Sequence, residues 1–273
     1  MAVNPLQQYF RQPKIYIDLP SHGAYSKPGS IQGDITNIPV YGMTGMDEVI
    51  MRTPDALFTG ESTVRIVESC VPSIKDAWEL SVIDTDMVFS AIRIATFGHL
   101  MTVGHKCPHC DEEHDHDLDL NFLIEHYRKC SYDAKIVLQD LVITVKPLSY
   151  RDSTSFNIKN YELQKKLAQT EEIEDKVEQQ KLINEMFVEL SKIQQELYYM
   201  SVEAVETPQT RVTERSFITE WLNNCDKSVF DSIRDQIDKN KRAWTVPSYK
   251  VTCSNCKAEN ELTIELDQSN FFV

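Results

Sequence analysis

TVGHKCPHCDEEHDHDLDL (102–120) and SYKVTCSNCKAENELTIEL (248–266) read alike. Each runs as a strand, a C-x-x-C pair, a short polar turn and a second strand. Two residues between cysteines let a tight turn aim both thiolates at one point and turn backbone N–H groups toward the sulfurs. Two such knuckles facing each other complete a tetrahedral S₄ site. Cys107, Cys110, Cys253 and Cys256 are therefore expected to hold one structural Zn²⁺. Thiolates shed protons to bind, so the metal would contribute directly to folding. About 140 residues lie between Cys110 and Cys253, far more than an ordinary zinc ribbon contains. Either a large insertion splits one ribbon, or the ribbon closes a two-part domain. Closing so long a loop restricts the unfolded chain considerably.

Other chemistries fit these residues less well. A thioredoxin-type redox pair needs a strand–helix setting, and these pairs lie between strands. A catalytic zinc needs an open position, and four cysteines leave none. His105, His109, His114 and His116 are alternative ligands that could replace a cysteine, although exposed turn residues are the simpler reading. Asp111, Glu112, Glu113, Asp115, Asp117 and Asp119 could gather a hard cation, but a solvated acidic face explains them as well. No phosphate-binding glycine loop, G-x-S-x-G elbow or H-E-x-x-H occurs, and no enzymatic activity is expected.

The chain has 273 residues, of which 41% are apolar and 26% charged, as in a folded protein with a real core. Asp and Glu number 42 against 28 Lys and Arg, a net charge of −14. Phosphate backbones and anionic lipid surfaces repel such a chain, so nucleic acid is a poor default partner. No stretch approaches the ~20 apolar residues of a membrane span, and Met1 to Lys14 has no signal-peptide core. A reducing cytoplasm is expected, where seven cysteines, four of them in C-x-x-C pairs, favour metal over disulfides.

Outward from the knuckles, the sequence implies an α+β fold. Residues 1–14 read as an extended polar arm. Residues 15–106 hold an N-terminal β segment, with strands at 15–21 and 31–43, and a small helical unit. Thr44 is expected to cap one short helix and Thr53–Pro54 another; a further helix begins at Asp84 or Thr85 and ends at Gly98. Residues 107–131 and 245–273 are the two halves of a zinc ribbon-like β unit, split by a large, mainly helical insertion at 132–244. That insertion begins with a β-hairpin or two separate strands at 132–150. Ile183, Met186, Leu190, Ile193, Leu197 and Met200 then form a heptad stripe, suited to core packing or to a partner helix. A single helix is expected at about 214–240.

Beyond these local readings, the order of several segments carries a resemblance. DLPSHGAYSKPGSI (18–31), VYGMTGMDEVIMRTPDAL (40–57), VRIVESCVPSI (64–74), FSAIRIATFGHLMTVGHKCPHC (89–110), VKPLSYRD (145–152) and VTCSNCKAENELTIELDQSNFF (251–272) together resemble the baseplate hub and hub-assembly proteins of T-even-type contractile-tailed bacteriophages. It covers most of the chain apart from the Gln/Lys-rich helix. The resemblance implies a non-enzymatic structural or assembly protein of the tail baseplate, at its central hub. Its partners would be other baseplate or hub proteins, met in the host cytoplasm during assembly and in the virion tail; self-association is left open. Pro20, Ser21, Gly23, Phe271 and Phe272 are the candidate contacts. Two rivals come from other classes. A zinc-ribbon module binding nucleic acid would need a basic knuckle, and the first knuckle is acidic. A metal-dependent hydrolase would use the His/acidic cluster at 105–119.

Overall fold

The computed structural model describes residues 4–52, 59–170 and 175–264. They form a mixed helix-and-sheet protein whose sheets are all antiparallel. The chain divides into two compact units, Met1–Cys130 with Trp244–Val273, and Ser131–Ala243.

The first unit begins with a 3₁₀ turn at Pro5–Tyr9, inside the segment expected to be an extended arm. Strand β1 (Pro13–Ile17) then pairs with β2 (Ile38–Tyr41), setting Ile17 opposite Ile38. Both strands are shorter than expected. Gly23, Gly29 and Gly33 all have positive φ and turn the chain between them, a conformation that costs glycine little. Ile31 is left with an isolated bridge to Ile74. Helix α1 (Gly45–Met51) starts at the expected Thr44, whose hydroxyl accepts from the Asp47 N–H while the Asp47 carboxylate accepts from the Thr44 N–H. The Thr53–Pro54 start lies outside the described residues.

Helix α2 (Glu61–Cys70) buries Val64, Ile66, Val67 and Cys70. Helix α3 (Val82–Phe97) is the centre of this unit, buried from Ile83 to Arg93 except at Asp86. It starts two to three residues before the expected position because Ser81 supplies the cap, accepting from the Asp84 N–H. Gly98, at φ 90°, ends it. Strands β3 (Leu100–Lys106) and β4 (Glu113–Asp119) form a seven-pair hairpin. Helix α4 (Asn121–Lys129) follows and buries Leu123, Ile124 and Tyr127.

In the second unit, β5 (Lys135–Leu138) and β6 (Leu141–Val145) form the expected hairpin. β7 (Val202–Glu206) and β8 (Arg211–Val212) extend it to a sheet of order β5-β6-β7-β8. Helices α5 (Tyr150–Gln169) and α6 (Lys176–Ser201) stand between β6 and β7 and pack on each other. Ile193 of the heptad stripe is buried. Ile183, Met186, Leu190, Leu197 and Met200 are half-buried, so a two-helix seam covers them incompletely. The single helix expected at 214–240 is two, α7 (Arg215–Asn224) and α8 (Lys227–Trp244). The break falls at the polar run Asn223–Ser228. Cys225 is extended there, and the Asp226 carbonyl starts the next helix by accepting from Val229 and Phe230. Ile218, Leu222, Ile233 and Ile237 reach one core with Ile143, Val145, Tyr198, Tyr199, Val202 and Val205.

Candidate metal centre

The second knuckle follows α8: β9 (Tyr249–Thr252) and β10 (Glu259–Leu262) pair antiparallel around Cys253–Ala258. The two hairpins bring Cys107, Cys110, Cys253 and Cys256 together, with all four sulfurs within 4.8 Å of one another. Cys107 Sγ lies 3.7 Å from Cys256 Sγ, and Cys110 Sγ lies 3.7 Å from Cys253 Sγ. A tetrahedron with Zn–S bonds of about 2.3 Å has edges of about 3.8 Å. A disulfide would need its sulfurs about 2.05 Å apart. The two contacts between knuckles therefore match the edge of a tetrahedral thiolate site, and are far too long for disulfides.

The backbone explains how each knuckle closes. In the first, the Cys107 N–H donates to Glu112 O and the Asp111 N–H to Cys107 O, each at 2.9 Å. In the second, the Cys253 N–H donates to Ala258 O at 2.9 Å and the Lys257 N–H to Cys253 O at 3.0 Å. Asp111 (φ 59°) and Lys257 (φ 64°), each four residues after its first cysteine, take the left-handed turn.

Donors converge on the sulfurs. The Cys256 N–H points at Cys253 Sγ at 3.4 Å, and the Asn260 amide N–H at Cys107 Sγ at 3.4 Å. Desolvation alone would push the Cys107 thiol up. The His109 N–H, the Asn260 amide and the Cys110 N–H outweigh it and bring it down to about 6. Cys256 accepts an N–H from Ala258, which favours its thiolate, but the surrounding sulfurs push it up to about 12. Four thiolates crowded together resist ionising without a cation among them. Cys107 and Cys253 are buried, Cys110 is half-buried and Cys256 is exposed.

The histidines divide. His109 is exposed in the first turn. His105 and His114 stand opposite each other in β3 and β4, and His116 stands opposite Val103. These three are half-buried, while the alternate positions Asp115, Asp117 and Asp119 face outward. The His114 ring meets the cluster, its Nε2 lying 3.1 Å from Cys253 Sγ. The Nε2 atoms of His105 and His116 are buried without a hydrogen-bond partner. Asp111 meets Lys106 at 3.3 Å, and Asp117 accepts from Thr102 at 2.6 Å.

The candidate contacts lie apart from this centre in sequence. Pro20 and Gly23 are half-buried. Ser21 is buried, with its hydroxyl donating to the buried Asp84 at 2.5 Å and its N–H at 2.9 Å. Phe271 and Phe272 lie outside the described residues. Asn260, His114 as a sulfur neighbour, and Ser254 beside it escaped the sequence reading. One signal was available: His114 and Asn260 each stand seven positions after the first cysteine of their own knuckle.

Fold and site together define an α+β protein with a four-cysteine cluster. Residues 48–273 match the family described as T4 bacteriophage base plate protein, and the chain belongs to that family. No curated protein and no solved structure matches it. Among the described residues, no helix is long and apolar enough to cross a membrane.

Proposed function

We propose that this protein is a non-enzymatic part of the central hub of the baseplate, as a component or as an assembly factor, and that Cys107, Cys110, Cys253 and Cys256 hold one structural Zn²⁺. The sulfur tetrahedron carries the metal reading. Its two 3.7 Å contacts between knuckles and the N–H groups aimed at its sulfurs suit a metal bound by four thiolates. A bound ion would supply a cross-link and no chemistry, since four cysteines fill its coordination. It would tie together two hairpins 143 to 149 residues apart in sequence. That fixes the ribbon, whose own hairpins bury few apolar residues, in a single shape.

Function then rests on docking to other baseplate or hub proteins in the host cytoplasm and in the virion tail. Pro20, Gly23 and the Phe271–Phe272 end are the proposed contacts. Ser21 belongs with them in sequence only, because its hydroxyl is committed to Asp84. Affinity capture of the tagged protein from infected cells, with mass spectrometry of intermediates and finished particles, tests this. Recovery with hub proteins supports the reading. Recovery with peripheral baseplate proteins alone, or with none, would overturn it.

A further inference from the structure

The two knuckles are related by an offset of 146 residues, and the correspondence reaches beyond the cysteines. Cys107 matches Cys253, Cys110 matches Cys256, Asp111 matches Lys257 and Glu112 matches Ala258. The backbone bonds that close the turns repeat atom for atom at these pairs. Both 3.7 Å sulfur contacts cross from one knuckle to the other, Cys107 to Cys256 and Cys253 to Cys110. The same offset carries His114 onto Asn260. Each of these residues reaches across to the first cysteine of the opposite knuckle: His114 Nε2 lies 3.1 Å from Cys253 Sγ, and Asn260 Nδ2 lies 3.4 Å from Cys107 Sγ.

The geometry points to His114 and Asn260 as a pair of crossed positioning residues that hold the two buried sulfurs in place and set how tightly the clasp keeps its ion. This rests on the zinc reading given above. A thiolate only accepts hydrogen bonds, so the His114 Nε2–H donates to Cys253 Sγ. Nδ1 is then the acceptor, and the Ser254 hydroxyl lies 3.0 Å from it to donate. That contact fixes the tautomer and the ring plane, as partners of this kind do around metal sites. Asn260 is itself buried, and its amide N–H is aimed at Cys107 Sγ. Each N–H withdraws charge from a sulfur and pins one hairpin to the cysteine of the other. The two sulfurs so held, on Cys107 and Cys253, are the buried ones. Cys110 and Cys256 form the open edge by which an ion enters and leaves.

The test is the rate at which zinc passes from purified full-length protein to a chromogenic chelator, with zinc content measured in parallel. His114→Leu and Asn260→Leu should each still bind one zinc but release it about 10- to 100-fold faster. His114→Asn and the exchanged pair His114→Asn/Asn260→His, which keep an N–H donor, should release it close to the parental rate. Should a leucine variant not fold, Ser254→Ala removes only an exposed hydroxyl and should speed release several-fold. Parental rates in the leucine variants, or in Ser254→Ala where they do not fold, would overturn the crossed-donor role while leaving the zinc reading intact. A parent protein without zinc would instead overturn the metal reading on which it rests.

Discussion

Gly42 sits where no side chain fits. A Cβ there would lie 2.8 Å from the Ala95 carbonyl oxygen of α3, a backbone atom with little freedom to yield. Gly42→Ala should therefore cost about 1–3 kcal/mol in denaturant unfolding, as overpacking of a tight contact does. Asp86 gives a pH signature. Asp86 is only half-buried as a residue, but desolvation of its carboxyl pushes it up to about 7. An unfolded Asp titrates near 3.9, so the group's contribution is fully present below that pH and is lost as pH rises through about 7. From this group alone, stability should be about 1 kcal/mol higher at pH 6 than at pH 8. Asp86→Asn should remove that difference and be more stable than the parent at pH 8. Equal pH dependence in both proteins, by urea unfolding, would contradict the assignment. Neither effect was legible in the sequence. Gly42 is one of eight glycines, and only the approach of β2 to α3 marks it out. The meeting of the four cysteines was legible, because C-x-x-C spacing aims both sulfurs of a pair at one point. Their crossed donors depend on how two distant hairpins meet.

Elements with local signals were readable. Thr44 caps α1 and Gly98 ends α3 because helix ends need partners for orphan N–H and C=O groups, and neighbouring residues provide them. The 214–240 helix failed for the opposite reason. Its apolar spacing runs past the break, and only the polar run with Cys225 extended reveals two helices. The strand expected at 31–43 overlooked Gly33, whose φ of 90° ends the extended run. Ser81 shows what a cap contributes here. It accepts from the Asp84 N–H and donates from its hydroxyl to the buried Asp84 carboxylate at 2.7 Å. Ser81→Ala should cost about 1–3 kcal/mol, since it removes a cap and leaves a buried carboxylate with one donor fewer. The same substitution at exposed Ser191, in mid-helix, should be near neutral in the same unfolding assay.

At the scale of the whole molecule, each unit has an apolar core of its own. Residues from Ile136 to Ile237 form one cluster, and Ile17, Val40, Met87, Ile92, Leu118 and Tyr127 are buried within the other unit. The four-cysteine cluster lies in the first unit, where it joins segments that the second unit separates in sequence. Removing metal with a chelator should therefore speed amide exchange in β3, β4, β9 and β10, and leave the β6–β7 pairing of the second unit protected. Equal deprotection of both units would contradict this independence. The most direct test of the clasp is metal content. Elemental analysis and native mass spectrometry of protein purified without chelators should find one zinc per chain. Cys253→Ser should lower that content and destabilise the first unit. Protein with no metal, or with a Cys107–Cys110 disulfide under reducing conditions, would contradict the account.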